Sequence, residues 1–101
     1  MMQKPLYILY VGTNTEITAT VNRLINAHEN WKGETASSFF EAREKCLSQS
    51  FDIILIGGGI GEETESQIRE LVSSHFPNTK IIEHYGGGSG LLTNEILEAL
   101  R

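Results

Sequence analysis

The feature that most constrains this chain is a regular switch between short apolar runs and segments of helical period. Leu6-Tyr7-Ile8-Leu9-Tyr10-Val11 and Asp52-Ile53-Ile54-Leu55-Ile56 have no polar alternation, as expected of parallel strands covered on both faces. They read as the first and third strands. Lys80-Ile81-Ile82-Glu83-His84 reads as the fourth. Glu34-Thr35-Ala36-Ser37 is short and polar enough to be a second strand at a sheet edge.

Helical spacing fills the intervals. Thr13 and Glu16 have capping-box spacing ahead of Ile17, Val21, Leu24, Ile25 and His28 on one face, and Asn30 to Gly33 ends that helix. Ser38 and Glu41 repeat the box before a stripe of Phe39, Ala42, Cys46 and Leu47, with Ser48 to Ser50 as the stop. Thr64 and Gln67 open a third helix lined by Ile68, Leu71, Val72, His75 and Phe76, which Pro77-Asn78 terminates. A last helix carries Leu91, Leu92, Ile96, Leu97, Ala99 and Leu100.

Alternating strands and helices imply an α/β fold, a parallel sheet between two helical layers with right-handed crossovers. The expected strand order is 2-1-3-4. The second and third helices then share one face, and the first and last share the other. At 101 residues the chain has the length of one domain, residues 1–101.

Composition narrows the function classes. Thirteen acidic against 8 basic residues give a net charge of -5, which repels nucleic-acid backbones and anionic membranes. Neither is an expected partner. The start of the chain lacks a signal-peptide build and no apolar run approaches a membrane span, so a cytoplasmic location is expected. Cys46 is the only cysteine and reads as a small apolar residue on the inner side of a helix. His28, His75 and His84 lie on different elements, which argues against a shared metal site. No cofactor is expected. Trp31 falls in the connection before the second strand and reads as a cap on the core edge.

The order of elements and the phrase Phe51-Asp52-Ile53-Ile54-Leu55-Ile56 resemble the receiver domains of bacterial response regulators, a flavodoxin-like fold. In that family an acidic pair after the first strand holds magnesium, and an aspartate ending the third strand accepts a phosphoryl group. Here the matching positions are Gly12-Thr13 and Gly57. Tyr85 falls where the family usually has a small hydroxyl residue, and the lysine-bearing fifth strand has no counterpart before Arg101. With neither acceptor nor metal ligands, phosphoryl transfer lacks a nucleophile and charge neutralisation. The resemblance therefore implies a receiver-like domain that is not phosphorylated. Thr13-Asn14-Thr15-Glu16-Ile17-Thr18 is also similar to the phosphate loop of flavodoxins, but Glu16 stands where they have glycine.

Three loops are expected at the carboxyl ends of adjacent strands: Gly12 to Thr15, Gly57 to Glu62, and Gly86 to Gly90. Open α/β sheets place ligands in the crevice where strand order reverses, here between strands 1 and 3. Glycine amides at helix N-termini suit a small anion. The candidate ligand-binding residues are Gly12, Thr13, Thr15, Gly57, Gly58, Gly59, Gly61, His84, Tyr85, Gly86, Gly87, Gly88 and Ser89. Glu62, Glu63 and Glu65 disfavour a highly charged phosphate, and no dinucleotide or nucleotide-triphosphate motif is complete. His84 lacks a partner acid on its own side of the strand, so no catalytic residue is expected.

The leading expectation is a non-enzymatic regulatory or interaction module gated by a small anion. The alternative is a small-molecule or nucleotide-binding protein. A homodimer through the fourth strand or the last helix is also expected, because an unpaired strand edge and an over-wide apolar stripe invite a second copy.

Overall fold

The computed structural model describes residues 5–84. Strands β1 (Leu6–Val11), β2 (Trp31–Ala36), β3 (Ile53–Gly57) and β4 (Lys80–His84) form one parallel sheet in the order β2-β1-β3-β4. Helices α1 (Thr15–Asn26), α2 (Phe39–Ser48) and α3 (Glu62–His75) make the crossovers. The last expected helix and the loop at residues 86–90 lie outside the described residues. None of the described helices is long and apolar enough to cross a membrane.

Side-chain alternation along the strands builds two cores. Leu9, Val11, Ile54 and Ile56 meet Ala42 and Cys46 of α2 and Ile68 and Val72 of α3. Ile8, Tyr10, Ile53 and Leu55 meet Val21 and Ile25 of α1, together with Trp31. The helices thus divide between faces as the crossover rule requires. Full burial of each large apolar side chain stabilises by roughly 1.5–3 kcal/mol.

Several boundaries differ from the sequence reading. Strand β2 begins at Trp31, three residues before Glu34, and Ser37 lies beyond its end. Trp31 is therefore a strand residue, 7% exposed, with the His28 ring stacked on it at 3.7 Å between centroids. His28 lies past the end of α1 and is exposed, because the cap at Ala27 closes that helix. Gly33 resembles a breaker but serves close approach: a Cβ there would lie 2.8 Å from Ile25 Cγ2 and 3.1 Å from Asn22 Oδ1.

The helix starts also shift. Asn14, not Thr13, caps α1, its Oδ1 accepting from the Ile17 N–H at 2.9 Å. Ser38 caps α2 as expected, but Glu41 accepts from the Ser37 N–H and hydroxyl, both at 2.6 Å, rather than from Ser38. Gly61 precedes α3 without a side-chain cap, and Thr64 lies inside the first turn. Leu47, expected in the core stripe, is 62% exposed, and His75 is exposed as well.

At the amino end of the sheet, the Asp52 carboxylate accepts from the Tyr7 N–H at 2.9 Å. Asp52 thereby extends the β1–β3 ladder by one bond before β3 begins.

Candidate functional site

The carboxyl ends of β1 and β3 meet at Gly12 and Gly57. Val11 pairs with Ile56, so these glycines follow one another across the ladder. Tyr10 precedes Gly12 by two residues, and in a strand that spacing puts both on the same face. The Tyr10 ring consequently lies over both glycines. A Cβ on Gly12 would stand 2.5 Å from Tyr10 Cε2, and one on Gly57 would overlap the hydroxyl oxygen, with Cζ at 2.6 Å. Tyr10 is 2% exposed. Burial raises the phenol's pKa, so it stays protonated at neutral pH.

The expected crevice between strands 1 and 3 is thus filled by an aromatic ring. An open cleft of about 420 Å³ lies one strand over, between the ends of β1 and β2. One wall carries Gly12, Thr13, Thr15, Thr18 and Asn22, and the other Thr35, Ser37, Glu41 and Lys45. Lys45 Nζ bonds Glu34 Oε1 at 2.7 Å, so the wall's cation is already paired. Hydrogen bonds from the Ser37 hydroxyl and N–H hold the Glu41 carboxyl below the usual carboxylate range. The cleft is accordingly hydroxyl-rich and without excess positive charge. The Thr18 hydroxyl oxygen is buried in its wall with no hydrogen-bond partner.

Of the sequence candidates, Gly12, Thr13 and Thr15 line this cleft together. Gly57 is buried beneath Tyr10. Gly59 has φ +88°, a backbone that favours glycine, and a Cβ there would meet Thr13 Oγ1 at 2.6 Å. The loops after β1 and β3 therefore touch. Gly58 and Gly61 are exposed, and Glu62, Glu63 and Glu65 occupy the first turn beyond them. His84 pairs in register with Gly57. Tyr85, Gly86, Gly87, Gly88 and Ser89 lie outside the described residues.

Elsewhere the chemistry is quiet. Cys46 is buried, and desolvation pushes its thiol pKa up, away from the reactive thiolate. Among the described residues no three His, Cys, Asp or Glu form a group that could hold a metal ion. The sequence reading missed the cleft residues Thr18, Asn22, Thr35, Ser37, Glu41 and Lys45. A large aromatic two residues before a strand-end glycine was the available signal, because it fills the crevice beside it.

No known family profile and no curated protein matches the sequence. Solved structures do. The chemotaxis response regulator CheY4 of Vibrio cholerae aligns at 21% identity and TM-score 0.67, over 79% of this chain and 68% of that one. The signal receiver domain of an HD domain-containing protein from Pseudomonas fluorescens Pf-5 aligns at 14% identity and TM-score 0.71, over 98% and 72%. The fold is that of a receiver domain. A third similar structure, the phosphorylated P1 domain of CheA3 in complex with CheY6 from R. sphaeroides, aligns at 19% identity and TM-score 0.63. It covers 95% of this chain and 99% of that one. On this receiver fold, the corner matching the resemblance's acceptor and acidic pair holds Gly57, Gly12 and the Tyr10 ring.

Proposed function

We propose that the chain is a non-enzymatic, receiver-like regulatory module that is not phosphorylated and works by associating with a protein partner. The observation that carries this reading is the Tyr10 ring packed over Gly12 and Gly57. A carboxylate acceptor would need that volume, and magnesium would need acidic ligands where Gly12 and Thr13 stand. Association is supported by similarity to a structure whose receiver is bound to a P1 domain. Incubation with acetyl phosphate and magnesium, followed by intact-mass measurement, tests the reading. No mass gain is expected. A stable gain of one phosphoryl group on a carboxylate of the chain overturns it.

The cleft favours a second reading, in which the chain binds a small polar molecule through Thr13, Thr15 and their neighbours. The unpartnered Thr18 hydroxyl supports it. In the first reading a small anion gates association at Gly58 to Gly61, where α3 lacks a side-chain cap. Thermal shift separates the two. Stabilisation by sulfate or phosphate supports the anion, and stabilisation by neutral polyols lost in Thr15→Val supports the cleft.

Self-pairing through β4 or the last helix belongs to the association reading. β4 ends the described sheet, and the Arg69–Glu83 pair at 3.0 Å is the charge along it that faces α3. A dimer abolished by Leu97→Glu would place the contact on that last helix.

A further inference from the structure

Helix α1 carries a second stripe besides its apolar one. Thr15, Thr18, Ala19 and Asn22 are spaced i, i+3, i+4, i+7 and share one face, which lines the cleft between the ends of β1 and β2. These side chains are small or polar, so the groove stays open, whereas Val21 and Ile25 on the other stripe close onto the sheet. Across the groove stand Thr35 and Ser37 at the end of β2, with Glu41 and Lys45 one turn apart on α2. The Gly12 N–H donates to the Ala36 carbonyl at 3.0 Å and ties the two strand ends together.

Contacts within the domain use one side of each polar group and leave the other over. Asn26 Nδ2 donates to Asn22 Oδ1 at 3.0 Å, which orients the Asn22 amide. Its Nδ2 then donates to nothing among the described residues. Glu41 Oε1 accepts both bonds from Ser37, and Oε2 accepts none among the described residues. The hydroxyls of Thr15 and Thr35 are without described partners as well, and the buried Thr18 hydroxyl is a polar group that the fold itself does not use. Unused donors and an unused acceptor thus face one groove. A hydroxyl group, which donates and accepts at once, matches both.

Charge and shape narrow the ligand further. Among the described lining residues Glu41 and Lys45 are the charged ones, one of each sign, and Lys45 is held by Glu34 at 2.7 Å. Neither an anion nor a cation is favoured. The described lining has no aromatic side chain, so it gives a nucleobase or flavin ring no platform to stack on. Its volume, about 420 Å³, falls in the range of small-molecule sites. We propose that the cleft binds a neutral polyhydroxylated molecule of sugar size, with Asn22 Nδ2 as donor, Glu41 Oε2 as acceptor, and the Thr15 and Thr35 hydroxyls completing the contacts. The proposal rests on the cleft reading and narrows its ligand to one class.

Residue-by-residue NMR titration of the full chain with D-glucose, D-gluconate and D-glucosamine tests it, because the three share a hydroxyl pattern and differ in charge. Glucose should shift the Thr13, Thr15 and Thr35 amides and the Asn22 side-chain NH₂, gluconate should bind several-fold more weakly, and glucosamine no more tightly than glucose. Thr15→Val and Thr35→Val keep the side-chain shape and remove one hydroxyl each, so each should raise the glucose Kd about two- to tenfold. Asn22→Ala should do the same, its amide spectrum verifying the fold. Thr20→Val, on α1 but outside the cleft lining, should leave the Kd unchanged. If gluconate or glucosamine shifts the cleft amides and glucose does not, the neutral class is overturned and the cleft reading stands. Shifts by none of the three overturn both, and glucose binding indifferent to Thr15→Val, Thr35→Val and Asn22→Ala overturns the proposed contacts.

Discussion

Single residues set the geometry here through what they leave room for. Gly33, Gly12 and Gly57 are all positions where a side chain has been traded for an approaching one: Ile25 and two asparagines at the first, and the Tyr10 ring at the others. Gly33→Ala must displace the Ile25 methyl or the Asn22–Asn26 pair, and overpacking of that kind costs typically 1–3 kcal/mol, here about 1–2 because the asparagines are exposed. Urea unfolding measures it, and a stability equal to the native chain's would show that α1 does not pack on that backbone. Tyr10 offers a second handle. Burial raises its ionisation above the ordinary phenol range, so in a spectrophotometric titration one of the three tyrosines should ionise late. Tyr10→Phe should remove that late step. These contacts were hidden in the sequence, where Gly33 reads as a helix stop and Tyr10 as one more apolar strand residue. Glycines reveal their neighbours only when the register is known.

At the scale of elements, the strands were the most legible part. Leu6–Val11 and Lys80–His84 have the same bounds in the sequence and in the structure, because continuous apolar runs bounded by turn residues leave little choice. Strand β2 was less legible. Trp31-Lys32-Gly33 carries no alternation, and it is a strand because β1 lies beside it from Leu6 onward. The start of α1 was read one residue off because Thr13 and Asn14 compete as caps, and that of α3 three residues off because Gly61 precedes it without a side-chain cap. The capped start of α2 has a pH consequence. Hydrogen bonds from the Ser37 hydroxyl and N–H depress the Glu41 pKa in the folded chain, so the unfolded chain binds that proton at higher pH. Its stabilising effect is therefore complete above the ordinary carboxylate range and is lost as pH falls through the depressed value. Glu41→Gln should flatten the acid limb of a stability-versus-pH curve. An unchanged limb would mean that the Ser37 bonds do not persist in solution.

For the whole molecule, the fold was legible because alternating strands and helices with right-handed crossovers leave only a few strand orders, and the one chosen among them, 2-1-3-4, is the order observed. The site was only partly so. The loops after β1 and β3 do meet, through Thr13 and Gly59, but the open volume lies on the β2 side because Tyr10 fills the corner between β1 and β3. The packing of Tyr10 in that corner is what the proposed absence of phosphorylation rests on.

A double-mutant cycle on Tyr10 and Gly57, read by urea unfolding, measures that packing directly. Gly57→Ala should cost about 1–3 kcal/mol in the native chain, since the new methyl group enters the space of the phenol. In a Tyr10→Val background the same substitution should cost close to nothing, giving a coupling of roughly the full amount. Equal cost in both backgrounds would contradict the account, because the ring would then not lie over Gly57.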